Sequence, residues 1–270
     1  MLYFVATPIG NLKDITYRAI ETLLSVDEIE CEDTRHSLTL LNYYNIKKPL
    51  KAYHKFNERE ESERIIEKLK SGKNIAVISD AGMPVISDPG NLLVKRLIEE
   101  NLEFTVIPGA CAFLSALVLS GLDSARFAFV GFLPNKENER KTLLEKYKKS
   151  DMTLAFYSAP HDLEKDIESI YEVFGNRKAV AVKEITKIHE KAIRFELKDG
   201  LKEEAKGEYV LLLEGYNESA EIFQMSEKEH IEKYIALGLD KKEALKKVAK
   251  ERGVSKSSLY KYTLQQDIKK

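Results

Sequence analysis

Short apolar runs at residues 2–6, 26–31, 74–79 and 103–107 alternate with helical periodicity at 14–24, 35–44, 58–71 and 90–101. This alternation narrows the fold more than any other feature. Neighbouring parallel strands need a crossover, and a helix of this length supplies one. A mostly parallel sheet flanked by helices is predicted. An apolar helix at 110–121 and a polar connection, GLDSARF, follow. A second series then runs FAFVGF, a charged helix at 136–149, MTLAFYS, a helix at 161–174, KAVAVKEIT, AIRFEL and GEYVLLLEG. The last three lack long helices between them, so this half is predicted to hold a mixed sheet. A boundary is expected near 115–125, giving α/β domains at 1–118 and 119–225.

Loop composition shows where such a fold would work. The segment SDAGMPVISDPG spends twelve residues, 79–90, between the apolar run NIAVI and the helical pattern LLVKRLIEENL. About 2–6 residues suffice for a plain strand-to-helix turn. Excess in an open α/β sheet falls beyond the carboxyl ends of the strands, where ligands bind. YFVATPIGN at 3–11 and FTVIPGA at 104–110 repeat the pattern. Pro8, Pro84, Pro89, Pro108, Pro134 and Pro160 all follow β-like runs, where proline stiffens a loop and removes a donor. Together these loops predict a stiff-walled cleft. GxGxxG after the first strand, GxxxxGK[ST] and GxSxG are all absent, which removes the common dinucleotide, P-loop and hydrolase readings. Acidic and apolar walls suit a cationic, adenosine-bearing ligand better than a polyphosphate.

The apolar fraction of 43% and charged fraction of 32% describe a soluble globular chain. The longest apolar stretch, at 110–122, is too short to span a bilayer, and without a basic n-region or cleavage site around LYFVA no secretory signal is expected. Cys31 and Cys111 in apolar surroundings fit a reducing cytoplasm. No CxxC or HxxH pair occurs, so no metal is expected. The net charge of −1 hides an asymmetry: residues 226–270 hold 12 Lys and Arg against 7 Asp and Glu. A basic tail on an acidic body points to an anionic partner, with a solvated helical face as the plain alternative. Three short helices are predicted in this tail. Ser226 and Glu229 are spaced as a capping box, Asp240 and Ser255 can cap the next two helices, and Gly253 suits a left-handed helix end. The pattern resembles a helix-turn-helix whose second helix carries Lys256, Ser257, Ser258, Tyr260 and Lys261. Ala244, Val248, Val254 and Leu259 are expected in its core.

Three polar clusters follow predicted strands. CEDTRHS at 31–37 offers Glu32, Asp33 and Arg35; YHKFNERE at 53–60 offers His54, Lys55, Asn57 and Arg59; KEITKIHEK at 183–191 offers Lys183, Glu184 and His189. A carboxylate beside a guanidinium usually fixes a loop, but arginine also grips phosphate with two parallel hydrogen bonds.

VATPIGNLKDIT, CEDTRHS, SDAGMPVISDPG, VIPGACAFLSAL, FVGFLP, FYSAPHDL and KEITKIHE occur in this order over about residues 3–190. The set resembles the small-subunit ribosomal RNA 2′-O-ribose methyltransferase I family of the tetrapyrrole methylase superfamily. CEDTR and HKFNE depart from that family's usual AEDTR and HEHNE. The resemblance implies two α/β domains with S-adenosylmethionine between them, a homodimer, and a small C-terminal domain (here 226–270). It places the cofactor on Ile9 and Gly10, on Asp80, Gly82 and Met83, on Pro108, Gly109, Cys111 and Ala112, and on Tyr157 and Pro160. It implies methylation of a cytidine 2′-hydroxyl in the decoding region of 16S rRNA, on the small ribosomal subunit. Asp33 is then the candidate base and Arg35 a positioning group, with His54 as a second catalytic candidate. Arg35, Lys55, Arg59, Lys256 and Lys261 are the candidate RNA contacts. Two rivals are methylation of a tetrapyrrole macrocycle and a helix-turn-helix regulator with a ligand-sensing body.

Overall fold

The computed structural model describes residues 1–217 and 225–262. By its contacts the chain divides into two compact units, Met1–Gly215 and Tyr216–Lys270. The first unit contains two five-stranded sheets.

The first sheet is built from β1 (Leu2–Val5), β2 (Glu28–Cys31), β3 (Leu50–Ala52), β4 (Ile75–Ile78) and β5 (Phe104–Ile107). Its order is β3-β2-β4-β1-β5, and every pairing is parallel. The crossover helices are α1 (Tyr17–Ser25), α2 (Thr34–Tyr43), α3 (Glu58–Lys70) and α4 (Asn91–Glu99). Leu23 of α1 and Leu41 of α2 pack with Val5, Ile29 and Ile78 on one face. Ile65 of α3 and Leu93 and Leu97 of α4 pack with Phe4, Ile75 and Val77 on the other. A parallel sheet covered on both faces explains the short, almost wholly apolar strands. Strand β2 is the exception, because its buried Glu28 and Glu30 both meet Lys68 of α3.

The second sheet comprises β6 (Phe127–Phe132), β7 (Thr153–Ser158), β8 (Lys178–Lys183), β9 (Lys191–Glu196) and β10 (Tyr209–Leu213), in the order β6-β7-β10-β8-β9. Only the β6–β7 pairing is parallel, β10 is antiparallel to both its neighbours, and β9 is antiparallel to β8. This is the mixed sheet expected from the sequence. Helix α7 (Leu163–Phe174) and Leu144 of α6 (Glu137–Glu145) cover one face. The other face receives α5 (Ala112–Ser120) through Ala116 and Leu117, together with Ile9 from the loop after β1. Residue 118, the expected domain boundary, thus falls inside a helix that packs on the second sheet. Among the described residues no helix is long and apolar enough to cross a membrane.

The second unit contains α8 (Glu227–Ala236), α9 (Lys241–Arg252) and α10 (Lys256–Leu259), followed by a 3-10 turn at Tyr260–Tyr262. Residues 263–266, the end of the third expected helix, lie outside the described residues. Both halves of the Ser226–Glu229 capping box form, Asp240 and Ser255 accept from helix-start N–H groups, and Gly253 is left-handed at φ 65°. Ala244, Val248 and Leu259 are fully buried, with Val254 packed beside them.

Candidate methyl-donor cleft

Strand register puts five loops of the first sheet at one edge. Val5 pairs with Ile78 and Ile107, Cys31 with Ile78 and Ala52, so all five strands end in line. The loops after β1 and β4 then lock together. Thr7 N donates to Gly82 O at 2.9 Å and Gly82 N returns a bond to Thr7 O at 3.1 Å. The Thr7 hydroxyl reaches Ser79 O at 3.1 Å, and the Ser79 hydroxyl reaches Gly82 O at 3.1 Å. The twelve-residue segment is therefore a braced wall. Val85 and Ser87 within it sit at φ 76° and 68°. For a β-branched residue like Val85 this conformation is rare and costs about 1–3 kcal/mol, a kind of strain that clusters at functional sites.

Between these loops and the second sheet lies a cleft of about 430 Å³, within the range of small-molecule sites. The first half lines it with Ile9, Asp80, Gly82, Met83, Asp88, Cys111 and Ala112. The second half adds Phe132, Tyr157, Ser158, Pro160, Ile185, Glu208, Tyr209 and Val210. Among the described residues three carboxylates face it, while no lysine, arginine or histidine does. Such a lining rejects a polyphosphate and favours a cation with an apolar body.

Eight of the eleven candidate cofactor residues thus meet in one cleft: Ile9, Asp80, Gly82, Met83, Cys111, Ala112, Tyr157 and Pro160. Gly10, Pro108 and Gly109 do not line it, and the two glycines show why. A Cβ on Gly10 would meet Lys187 Cγ at 2.6 Å, and one on Gly109 would meet Ala6 Cβ at 2.9 Å. They let loops pass closely, so they shape the cleft without facing it. Asp88, Ser87, Phe132, Ser158 and Glu208 were not singled out by sequence reasoning. A second aspartate before Pro-Gly in the same loop was the available signal for Asp88. Glu208 and Tyr209 gave none.

The titrating groups differ sharply. Burial, with the Glu32 and Asp80 carboxylates nearby, pushes Asp88 up to about 6. Burial and then Asp80 also raise Glu32, opposed by His54. Asp33 behaves oppositely. Its carboxylate accepts from Arg35 N at 2.8 Å and from the Arg35 guanidinium at 2.9 and 3.3 Å, which holds it down at about 2. It also caps α2, and its own N–H donates to Asp80 Oδ1 at 3.1 Å. So Asp33 is a brace with little basicity near neutral pH. The Arg35 side chain is 89% exposed beside the cleft. His54 is half-buried at the neighbouring strand end, and its Nδ1 has no partner among the described residues. Lys55 in the β3–α3 connection and Arg59 in the first turn of α3 are exposed.

In the second unit Lys256 lies 5.9 Å from the Tyr260 ring, while Lys261 pairs with Glu227 at 3.4 Å and lies over Tyr262. Glu184 and Lys187 pair at 3.0 Å in the β8–β9 connection, and Lys183 pairs with Glu203 at 3.0 Å. His189 lies in the same connection. Among the described residues no cluster of His, Cys, Asp or Glu is arranged to hold a metal ion.

The family model for Tetrapyrrole (Corrin/Porphyrin) Methylases matches residues 1–199. A protein of Halalkalibacterium halodurans named ribosomal RNA small subunit methyltransferase I is 43% identical over 268 residues, covering 96% of this chain and 93% of that protein. The chain belongs to this methyltransferase family, within the tetrapyrrole methylases. The like-named protein of Thermotoga maritima is 41% identical, matched over 98% of its length by 79% of this chain. A crystal structure of diphthine synthase has the same fold, with a TM-score of 0.65 at 17% identity, covering 79% of this chain and 89% of that one.

Proposed function

We propose that this chain transfers a methyl group from S-adenosylmethionine to the 2′-hydroxyl of a cytidine in the decoding region of 16S rRNA, acting on the small ribosomal subunit in the cytoplasm. The observation that carries the donor is the cleft lining: three carboxylates, no cationic side chain, and apolar walls from both sheets. The donor is a sulfonium with an ammonium, an adenosine and one carboxylate, and the residues present fit it. Asp80 and Asp88 suit its positive charges. Tyr157, Phe132 and Val210 suit the adenosine. The first turn of α5, whose N–H groups lack intrahelical acceptors, suits the carboxylate. The rRNA substrate is supported by the names of relatives matched over nearly the whole chain.

When bound, the donor supplies an activated methyl group for in-line displacement. The chain's own residues align the acceptor oxygen, exclude water and take up the proton. Asp88 is the better proton acceptor, because a group near 6 is mostly ionised at neutral pH yet basic enough to help. Asp33 instead holds Arg35 at the rim, where the guanidinium can meet a phosphate. Lys55 and Arg59 extend that cationic rim, and the basic second unit adds a clamp that positions without specifying. A homodimer belongs to this reading. Leu114 and Val118 of α5, 44% and 79% exposed on one helix face, need a cover that a second copy can give. Methylation of a tetrapyrrole would pair the rim cations with its carboxylates but gives no role to the basic second unit, so it is the weaker reading.

Mass spectrometry of 16S rRNA from a strain lacking this gene tests the proposal. One cytidine ribose should lose its methyl group and regain it when the purified chain and donor are supplied. An unchanged rRNA would reject the substrate.

A further inference from the structure

Phe56 presents a bare phenyl ring, 96% exposed, beyond the end of β3. Single exposed apolar residues are common and usually mean nothing. Three observations set this one apart.

First, the turn that carries it is rigid. His54 N donates to Asn57 Oδ1 at 2.8 Å, Asn57 Nδ2 donates to Ala52 O at 2.8 Å, and Asn57 N donates to His54 O at 3.0 Å. The His54 ring also meets Phe56 edge-on at 6.1 Å. Second, the turn is fastened to the cleft. Glu58, two residues on, accepts from Gly90 N at 2.8 Å and Leu92 N at 3.3 Å, at the end of the loop that carries Asp88. Strand order puts β3 two strands from β4 and Asp80, a separation of about 10 Å. Third, its surroundings are cationic. Lys55 and Arg59 are exposed without an ion pair among the described residues, and Arg35 projects from the adjacent strand end. The acids nearby are largely occupied: Glu58 by those backbone N–H groups and Glu61 by Arg64 at 2.6 Å, leaving Glu60.

A rigid aromatic face among free cations, beside a cleft for a small donor, matches the needs of one partner. Unpaired RNA bases stack on aromatic rings while cations hold the backbone. Phenylalanine has no polar atom, so stacking is the interaction open to it. We propose that Phe56 is a stacking platform for an unpaired base next to the methylated nucleotide, with Arg35, Lys55 and Arg59 holding the flanking phosphates. This rests on the proposed rRNA substrate and extends it to how the acceptor strand is held.

The test compares wild type, Phe56→Ala, Phe56→Tyr and Phe56→Trp on small subunits from a strain lacking the modification. Stacking on one base is worth about 1–3 kcal/mol, so Phe56→Ala should raise the KM for subunits about 5- to 150-fold. The KM for S-adenosylmethionine should stay put, and Tyr and Trp should recover most of the loss. The chain contains no tryptophan, so Phe56→Trp creates the sole indole. Its emission should be quenched by 16S rRNA at concentrations shown to saturate by anisotropy of labelled RNA. An unchanged KM for Phe56→Ala, or unmoved indole emission at saturation, would overturn the platform while leaving the methyltransferase reading intact. Loss of dimer mass in sedimentation of Phe56→Ala would overturn it too, by assigning the ring to a second copy. A wild-type chain that neither binds nor methylates subunits would reject the functional reading, and the platform with it.

Discussion

The two sheets of the first unit reach the same cleft by different routes. In the first sheet every strand is parallel, so every strand-to-helix loop emerges at one edge. In the second, β6, β7 and β8 share one direction while β9 and β10 run against them, so the start of β10 joins the strand ends at the cleft. The parallel half therefore concentrates titrating groups and strained backbone around the cleft: Asp80, Asp88, Val85 and Ser87. The mixed half contributes chiefly a wall, with Phe132 and Tyr157 in ring contact at 5.4 Å. On this reading one half performs chemistry and the other supplies apolar shape.

Substitutions that separate the halves can break this division, and the largest effect is expected in the parallel half. Asp88→Asn should lower kcat by roughly a hundredfold or more, the usual scale for removing a general base. In wild type, activity should fall as the pH drops through about 6, and the variant should lose that limb. Stability should move the other way. The folded carboxyl titrates above its ordinary value of 3.8, so the native state loses stability as pH rises from about 4 to about 6. Asp88→Asn escapes that loss and should melt higher than wild type at pH 7, with no gain near pH 4. Equal melting temperatures at pH 7 would show that Asp88 carries no burial penalty.

In the mixed half, removing the Tyr157 ring should weaken donor binding by about tenfold, with turnover at saturating donor nearly intact. Its hydroxyl meets only the Phe113 backbone in the first turn of α5 among the described residues, so Tyr157→Phe should cost less affinity than loss of the whole ring. A large kcat loss in either Tyr157 variant would place chemistry in the wall as well.

Asp33→Ala should cost about 1 kcal/mol of stability through the lost helix cap, seen by urea unfolding. Methylation of subunits should fall with calorimetric donor affinity unchanged, because Arg35 loses its brace. If Asp33→Ala kept full activity, the ion pair would be purely structural.

The smallest effect on chemistry is expected from the second unit. A chain ending at Asn217 should still bind donor, because the described residues that line the cleft all precede it. Its subunit affinity should fall with a shallower dependence on salt, because fewer counterions are released. Dissociation to monomers with an unchanged salt slope would instead give the tail a dimer role.

Legibility from sequence follows the same division. The parallel half was readable because each loop follows its strand directly, so SDAGMPVISDPG announced a site through its length and its glycines and prolines. The loops there required no knowledge of distant pairing, and the family resemblance then assigned the cofactor positions within them. In the mixed half, Pro160 was marked only as one of the loop prolines, Tyr157 came with the family resemblance, and Glu208 and Tyr209 not at all. Their place depends on β10, last in sequence, inserting between β7 and β8, and nothing local encodes that insertion. Charge environments were equally hidden. CEDTR reads alike whether Asp33 is a base or a brace, and only the bonds from Arg35 separate the two. The second unit was the most legible region, because Ser226, Asp240, Gly253 and Ser255 act through bonds to residues at most four positions away.

The claim that both halves complete a donor site is tested most directly by titration calorimetry of the full-length chain with S-adenosylmethionine and no RNA. One site per chain is expected, weakened about 10- to 100-fold by Asp80→Ala, the loss of a charged hydrogen-bonding group. Absence of heat without RNA, or undiminished affinity in Asp80→Ala, would contradict the account.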